Sequence, residues 1–107
     1  MGRKARMKPE RVAEKLLRIR KALDLSQLEM LQQLGFADRI DARRISEFER
    51  GDAEPPLPVL LGYARVARIP LEEIVNDKLN LPGRLPGTHR YKSVRRHKPR
   101  KRRRTQS

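Results

Sequence analysis

The chain has no cysteine among its 107 residues, which removes disulfides, thiolate metal sites and cysteine nucleophiles together. Aromatic residues make up only 4% and hydrophobic residues 36%, so one compact domain with a modest core is the ceiling. No apolar run approaches the ~18 residues of a membrane span, and the N-terminus lacks the apolar core of a signal peptide. We therefore expect a soluble, cytoplasmic protein. Acidic residues are missing altogether from residues 84–107, which carry eleven Lys or Arg. That segment holds most of the formal net charge of +14, because residues 1–83 contain sixteen basic and thirteen acidic residues, a net +3. A Gly-rich phosphate loop is absent too, as is any histidine before His89, and the acids of residues 1–83 are scattered rather than paired. Neither an enzyme nor a cofactor is expected from such a set.

What the chain does contain is a series of short helical signals. Between Leu25 and Gly35, Ser26 is a good N-cap, Glu29 three positions later completes a capping box, and Gly35 follows the last apolar residue as a C-cap. Leu28, Leu31 and Leu34 recur at helical spacing and are expected to face inward. A second unit repeats the pattern, with Asp41 as N-cap, Ile45 and Phe48 on an inward face, and Gly51 at the exit. Upstream, Pro9 suits a first helical turn, and Val12, Leu16, Ile19 and Leu23 mark a stripe for a helix over residues 9–24. Downstream, Pro55, Pro56 and Pro58 form a rigid connector into residues 59–67, where Leu60, Leu61, Ala64 and Ala67 suggest a fourth apolar face. Pro70 interrupts, and a short fifth helix is expected over residues 71–75.

This divides the chain into a flexible basic arm (1–8), a folded unit (9–78) and a Pro/Gly-containing basic tail (79–107) expected to be disordered when unbound. In the tail, Arg95, Arg96, Lys98, Arg100, Lys101, Arg102, Arg103 and Arg104 are candidates to neutralise phosphates. Each one engaged on duplex DNA steepens the salt dependence of log K by ~0.9. His89, Tyr91 and His97 also fall there but form no converging metal-ligand cluster.

The recognition chemistry follows from the third helix. With Ile45 and Phe48 inward, Ala42, Arg43, Ser46, Glu47 and Arg50 lie on or near the opposite side, where a major groove could be reached. Arg43 can donate twice to guanine O6 and N7, while Glu47 can accept from cytosine N4 or orient Arg43. The plainer alternative is a solvated helix face with an i,i+4 ion pair. For phosphates, Gln27 sits at a helix N-terminus, Arg39 and Arg44 flank the turn before the third helix, and Arg50 sits at its exit.

Residues 20–27, Leu34-Gly35, Ile45-Ser46, Phe48 to Gly51, and Leu60, Leu61, Ala64 and Ala67 together resemble the helix-turn-helix family of phage repressors and Cro, over about residues 16–77. The resemblance implies an all-α, compact five-helix repressor-like domain, followed here by the basic tail. Its second and third helices would form the unit that reads duplex DNA. It implies base contacts by the positions matching Ala42, Arg43 and Glu47, a phosphate contact by Gln27, and a partly buried ion pair between Arg20 and Glu49. One departure stands out: nine residues, 36–44, separate Gly35 from Ile45, a longer turn than the family's. Double-stranded DNA is thus the expected partner of a transcriptional regulator. A homodimer is expected to place two copies on successive half-sites, with the fifth helix and residues 79–82 as its contact surface. Two alternatives stay open: an antitoxin-like module with residues 77–86 lying along another protein, and an RNA- or ribosome-associated basic protein.

Overall fold

The computed structural model describes residues 8–87. Five helices follow one another, α1 (Val12–Ala22), α2 (Gln27–Leu34), α3 (Ala42–Arg50), α4 (Leu57–Ala67) and α5 (Leu71–Val75), and no strand occurs among the described residues. Residues 1–7 of the N-terminal arm and residues 88–107, with every tail candidate, lie outside them.

Local signals set most of the boundaries. In α2 the Glu29 N–H donates to Ser26 Oγ at 3.0 Å and the Ser26 N–H donates to Glu29 Oε1 at 2.8 Å, the reciprocal capping box. In α3 the Asp41 carboxylate accepts from the Arg43 N–H at 3.0 Å. Both helices end in a left-handed glycine, Gly35 at φ 87° and Gly51 at φ 80°. Helix α1 starts at Val12, not at Pro9, and ends at Ala22 before a left-handed Asp24. Its first turn is capped from a distance, since the Glu10 and Arg11 N–H groups donate to the Asp77 carboxylate at 2.8 and 3.0 Å. Helix α4 begins two residues before the expected position, at Leu57, with Pro58 in its first turn where a missing N–H costs nothing.

The core joins the expected α1 stripe of Val12, Leu16, Ile19 and Leu23 to Leu31, Leu34, Ile45, Phe48, Ala64 and Ala67. Two inward assignments are corrected. Leu28 is 51% exposed and Met30 is fully buried in its place. At about 100° per residue, Met30, Leu31 and Leu34 share one ~100° sector, and Leu28 lies ~110° from its centre. Leu61 is likewise 49% exposed, because α4 turns Val59, Tyr63 and Val66 to the core and Leu61 to the opposite side. Helices α2 and α4 approach so closely that a Cβ on Gly62 would stand 2.8 Å from Leu34 Cδ2. An alanine there would require the end of the Leu34 side chain to shift.

Packing continues past the boundary expected at residue 78. Leu81 and Leu85 are buried, and Gly87 sits so tightly that a Cβ would come within 2.3 Å of the Val66 carbonyl oxygen. Residues 76–87 are therefore a strap across the domain, with Leu81 and Leu85 turned inward and Lys78, Asn80, Gly83, Arg84 and Pro86 exposed. Lys15 fastens it. This side chain is buried, and its Nζ donates to the Glu73, Asn76 and Leu79 carbonyls at 2.9, 2.9 and 2.8 Å. Burial lowers its pKa and nearby Arg11 lowers it further, but the three carbonyls use all three ammonium donors. On the same seam the Arg11 guanidinium donates to the Asp77 carbonyl at 2.9 Å. Tyr63 is fully buried, its hydroxyl has no hydrogen-bond partner, and desolvation pushes its pKa far up, with Glu49 adding to the shift.

Candidate nucleic-acid interface

The helix pair α2 and α3 is held at a fixed angle by the connection between them and by a polar anchor beneath. The connection, longer than a minimal turn, folds onto one carbonyl: the Arg39 and Ile40 N–H groups both donate to the Phe36 oxygen, at 2.9 and 3.0 Å. Phe36 and Ile40 pack against the core from either side of it. The extra residues thus form a closed, apolar-stapled turn that delivers the chain to Asp41.

The anchor is an ion pair between α1 and α3. Arg20 Nε and Nη2 donate to the two Glu49 oxygens at 2.6 and 3.0 Å, and Arg20 Nη1 donates to the Leu25 carbonyl at 2.9 Å. The two side chains are 14% and 4% exposed, so the pair is largely desolvated. The Glu49 hydrogen bonds raise the Arg20 pKa further above its usual value. Gln27 joins the same network, its Nε2 donating to Glu49 Oε1 at 3.3 Å. One carboxylate therefore ties together α1, the first turn of α2 and the last turn of α3.

On the outer side of α3 the expected residues separate by what they touch. Arg43 projects furthest, with its side chain 76% exposed and only a long 3.8 Å contact to Asp41. Glu47 does not orient Arg43, and no ion pair joins them. Its partner is Arg44, at 2.5 Å one turn back, and the Arg44 guanidinium lies 5.2 Å over the Phe48 ring. Arg50 donates to the Ser46 hydroxyl and to Asp52, the latter at 2.8 Å. Two of the cations expected at phosphates, Arg44 and Arg50, are thus already engaged within the domain. Arg39 is exposed and has no ion-pair partner among the described residues, and Ala42 is half-buried in the first turn of α3.

This arrangement, two capped helices joined by a turn with the second presenting a polar outer face, coincides with a family match. The helix-turn-helix family model covers residues 16–74, more than half of the chain. The chain belongs to the repressor/Cro-like helix-turn-helix family. It is a helix-turn-helix DNA-binding regulator, and binding rather than catalysis is the family's work. No curated protein and no solved structure matches the chain. No helix among the described residues is long and apolar enough to cross a membrane, and no group of three or more metal-ligating side chains converges there.

Sequence reasoning missed the strap and its fasteners. Lys15 carried a signal that could have found it, because it lies three residues after Val12 and four before Ile19, on the buried stripe itself. A lysine on that stripe has to find acceptors at the end of another element. Asp77 carried none. The backbone N–H groups it caps belong to residues 66 and 67 positions away.

Proposed function

We propose that this regulator reads duplex DNA by laying α3 in the major groove, with Arg43 donating its paired N–H groups to a guanine. The single observation behind this is the isolation of the Arg43 guanidinium: exposed, in the first turn of α3 and with nothing closer than the 3.8 Å contact to Asp41. A planar fork in that state keeps its full donor capacity for guanine O6 and N7. Glu47 is the second base reader in this proposal, its carboxylate steadied by Arg44 for a cytosine N4 donor. Ala42 and Ser46 contribute close contacts beside them.

Arg39, at the tip of the turn, and Gln27, at the start of α2, are assigned to backbone phosphates, where free N–H groups and the helix dipole favour anions. Gln27 is supported in this role by its hydrogen bond to Glu49, which fixes it relative to the reading helix. Arg44 and Arg50 reach phosphates only by leaving Glu47 and Asp52. Arg95, Arg96, Lys98, Arg100 and Lys101 to Arg104 add sequence-independent phosphate contacts. Two copies acting on half-sites one DNA turn apart supply the specificity that one small domain lacks, and occupancy of the operator is the regulatory act.

Selection of binding sites from random duplex DNA tests the reading. A shared palindromic motif with a guanine in each half-site is expected, and Arg43→Ala should relax the preference at that guanine alone. Recovery of no common motif, with binding that only tracks salt concentration, would rule out base reading by α3.

A further inference from the structure

Arg50, on the outer side of α3, does not stand free. It bends back one turn, where its Nη1 donates to the Ser46 hydroxyl, while its Nε donates to the Asp52 carboxylate at 2.8 Å. Asp52 is placed for this by the left-handed Gly51, at φ 80°, which turns the chain so that the Asp52 N–H donates to the Glu47 carbonyl at 2.9 Å. The three side chains form a relay from carboxylate to guanidinium to hydroxyl along the flank of the reading helix. Its direction is fixed. A guanidinium has donors and no acceptor, so the Ser46 oxygen must accept and its own hydrogen must point elsewhere. No group among the described residues accepts that hydrogen.

We propose that Arg50 and Asp52 set Ser46 to donate, so that Ser46 selects a base presenting an acceptor in the major groove and discriminates against cytosine. This rests on α3 reading the major groove and adds a second determinant to it, with Arg50 as a positioning residue rather than a phosphate clamp. Ser46 lies three residues beyond Arg43, about 4.5 Å along the helix and about 60° round it. The base it meets is therefore roughly one step of about 3.4 Å from the guanine of Arg43. Guanine O6 and N7, adenine N7 and thymine O4 all accept in that groove, whereas the polar group on the edge of cytosine is the N4 donor. A facing acceptor satisfies the Ser46 hydrogen. A facing cytosine leaves that hydrogen orphaned in a closed interface, at a cost comparable to or greater than the net gain of one hydrogen bond. It also meets an oxygen already holding a cation, which polarises the hydroxyl towards donating and makes it a poor acceptor. In the free protein the Arg50 and Asp52 side chains are each 57% exposed, so water weakens the relay. Docking in the groove excludes that water and strengthens it.

The test is direct binding of the full chain to a panel of operators carrying each base pair in turn at every half-site position, with wild type, Ser46→Ala, Arg50→Met and Arg50→Lys compared. In the wild type, a position beside the Arg43 guanine should disfavour cytosine. Ser46→Ala should erase that discrimination, a change of roughly two- to twelvefold. Arg50→Met keeps an unbranched stem but cannot donate, and should erase most of it at the same position. Arg50→Lys, whose ammonium still donates, should restore part. The guanine preference set by Arg43 should persist in all three variants, which also shows that each is folded. The relay is overturned if, with that guanine preference intact, Ser46→Ala leaves the cytosine discrimination unchanged. It is overturned as well if Arg50→Met weakens every operator equally and lowers the salt slope by ~0.9, the mark of a phosphate contact. Absence of the guanine preference in the wild type itself would instead overturn base reading by α3, and the relay with it.

Discussion

At the seam of α1, α5 and the strap, Lys15 holds three carbonyls and Asp77 accepts two backbone N–H groups of α1. On the outer face of α3, Arg43 holds nothing closer than 3.8 Å. The same chemical kinds of group serve opposite ends because of what surrounds them. A charge placed inside must have its donors or acceptors filled, since an unmatched one costs several kcal/mol of desolvation. A charge left outside costs little and keeps its hydrogen-bonding capacity for a ligand. Arg20 and Glu49 stand between the two regions, a structural pair lying directly beneath the reading face.

Substitutions can break or sharpen this contrast. Glu49→Ala is expected to have the largest effect, because it leaves Arg20 desolvated and unpaired. A loss of about 3–5 kcal/mol is expected. In a domain of this size that lowers Tm by roughly 10 °C or more. An unchanged midpoint in thermal unfolding would place the pair among weak surface contacts instead. Lys15→Met keeps the length of the side chain but strands three carbonyls, and about 2–3 kcal/mol of stability should be lost, read as a lower midpoint in urea. Retention of the wild-type midpoint would mean that water replaces the ammonium without cost.

Arg43→Ala should behave in the opposite way. Binding to the selected operator weakens by about 1–3 kcal/mol, roughly five- to 150-fold, as a bidentate base contact is lost. Its Tm stays within about 0.5 kcal/mol of equivalent stability, as for other exposed positions. If stability fell along with affinity, the division between the two regions would fail. The smallest effect concerns pH. The backbone N–H of Glu10 is the main cause holding the Asp77 carboxyl below its ordinary 3.8, with that of Arg11 adding to it. A carboxyl with a folded pKa depressed in this way contributes stability above its unfolded value and loses it as pH falls through the folded one. Thermal unfolding of Asp77→Asn should therefore depend less steeply on pH than the wild type below about pH 4. Parallel curves for the two proteins would show that the cap carries no net stabilisation.

Much of the domain was legible along the chain, element by element. The boundaries of α2 and α3 were written in Ser26, Glu29, Gly35, Asp41 and Gly51, because caps act over three or four residues and need no tertiary context. The α1 stripe was equally plain. Facing was read less well where a helix is short and apolar on more than one side. Leu28 and Leu61 satisfied the spacing rule, yet the covered sectors are those of Met30 and Tyr63. In the candidate site, the spacing placed Arg43 and Glu47 on one outer face but could not choose between two arginines as the partner of Glu47. Arg44 holds it, stacked on Phe48.

The sequence by itself determined the helix-turn-helix, its caps, the outward residues of α3 and the concentration of positive charge after residue 83, since each depends on local periodicity or on composition. Only the tertiary structure decided that residues 76–87 belong to the domain, that Lys15 and Asp77 fasten them to α1, and that Arg43 alone on the outer face of α3 keeps an uncommitted fork. Those outcomes depend on contacts between residues far apart in the chain, where the desolvation of one group selects its partner and no local rule names it.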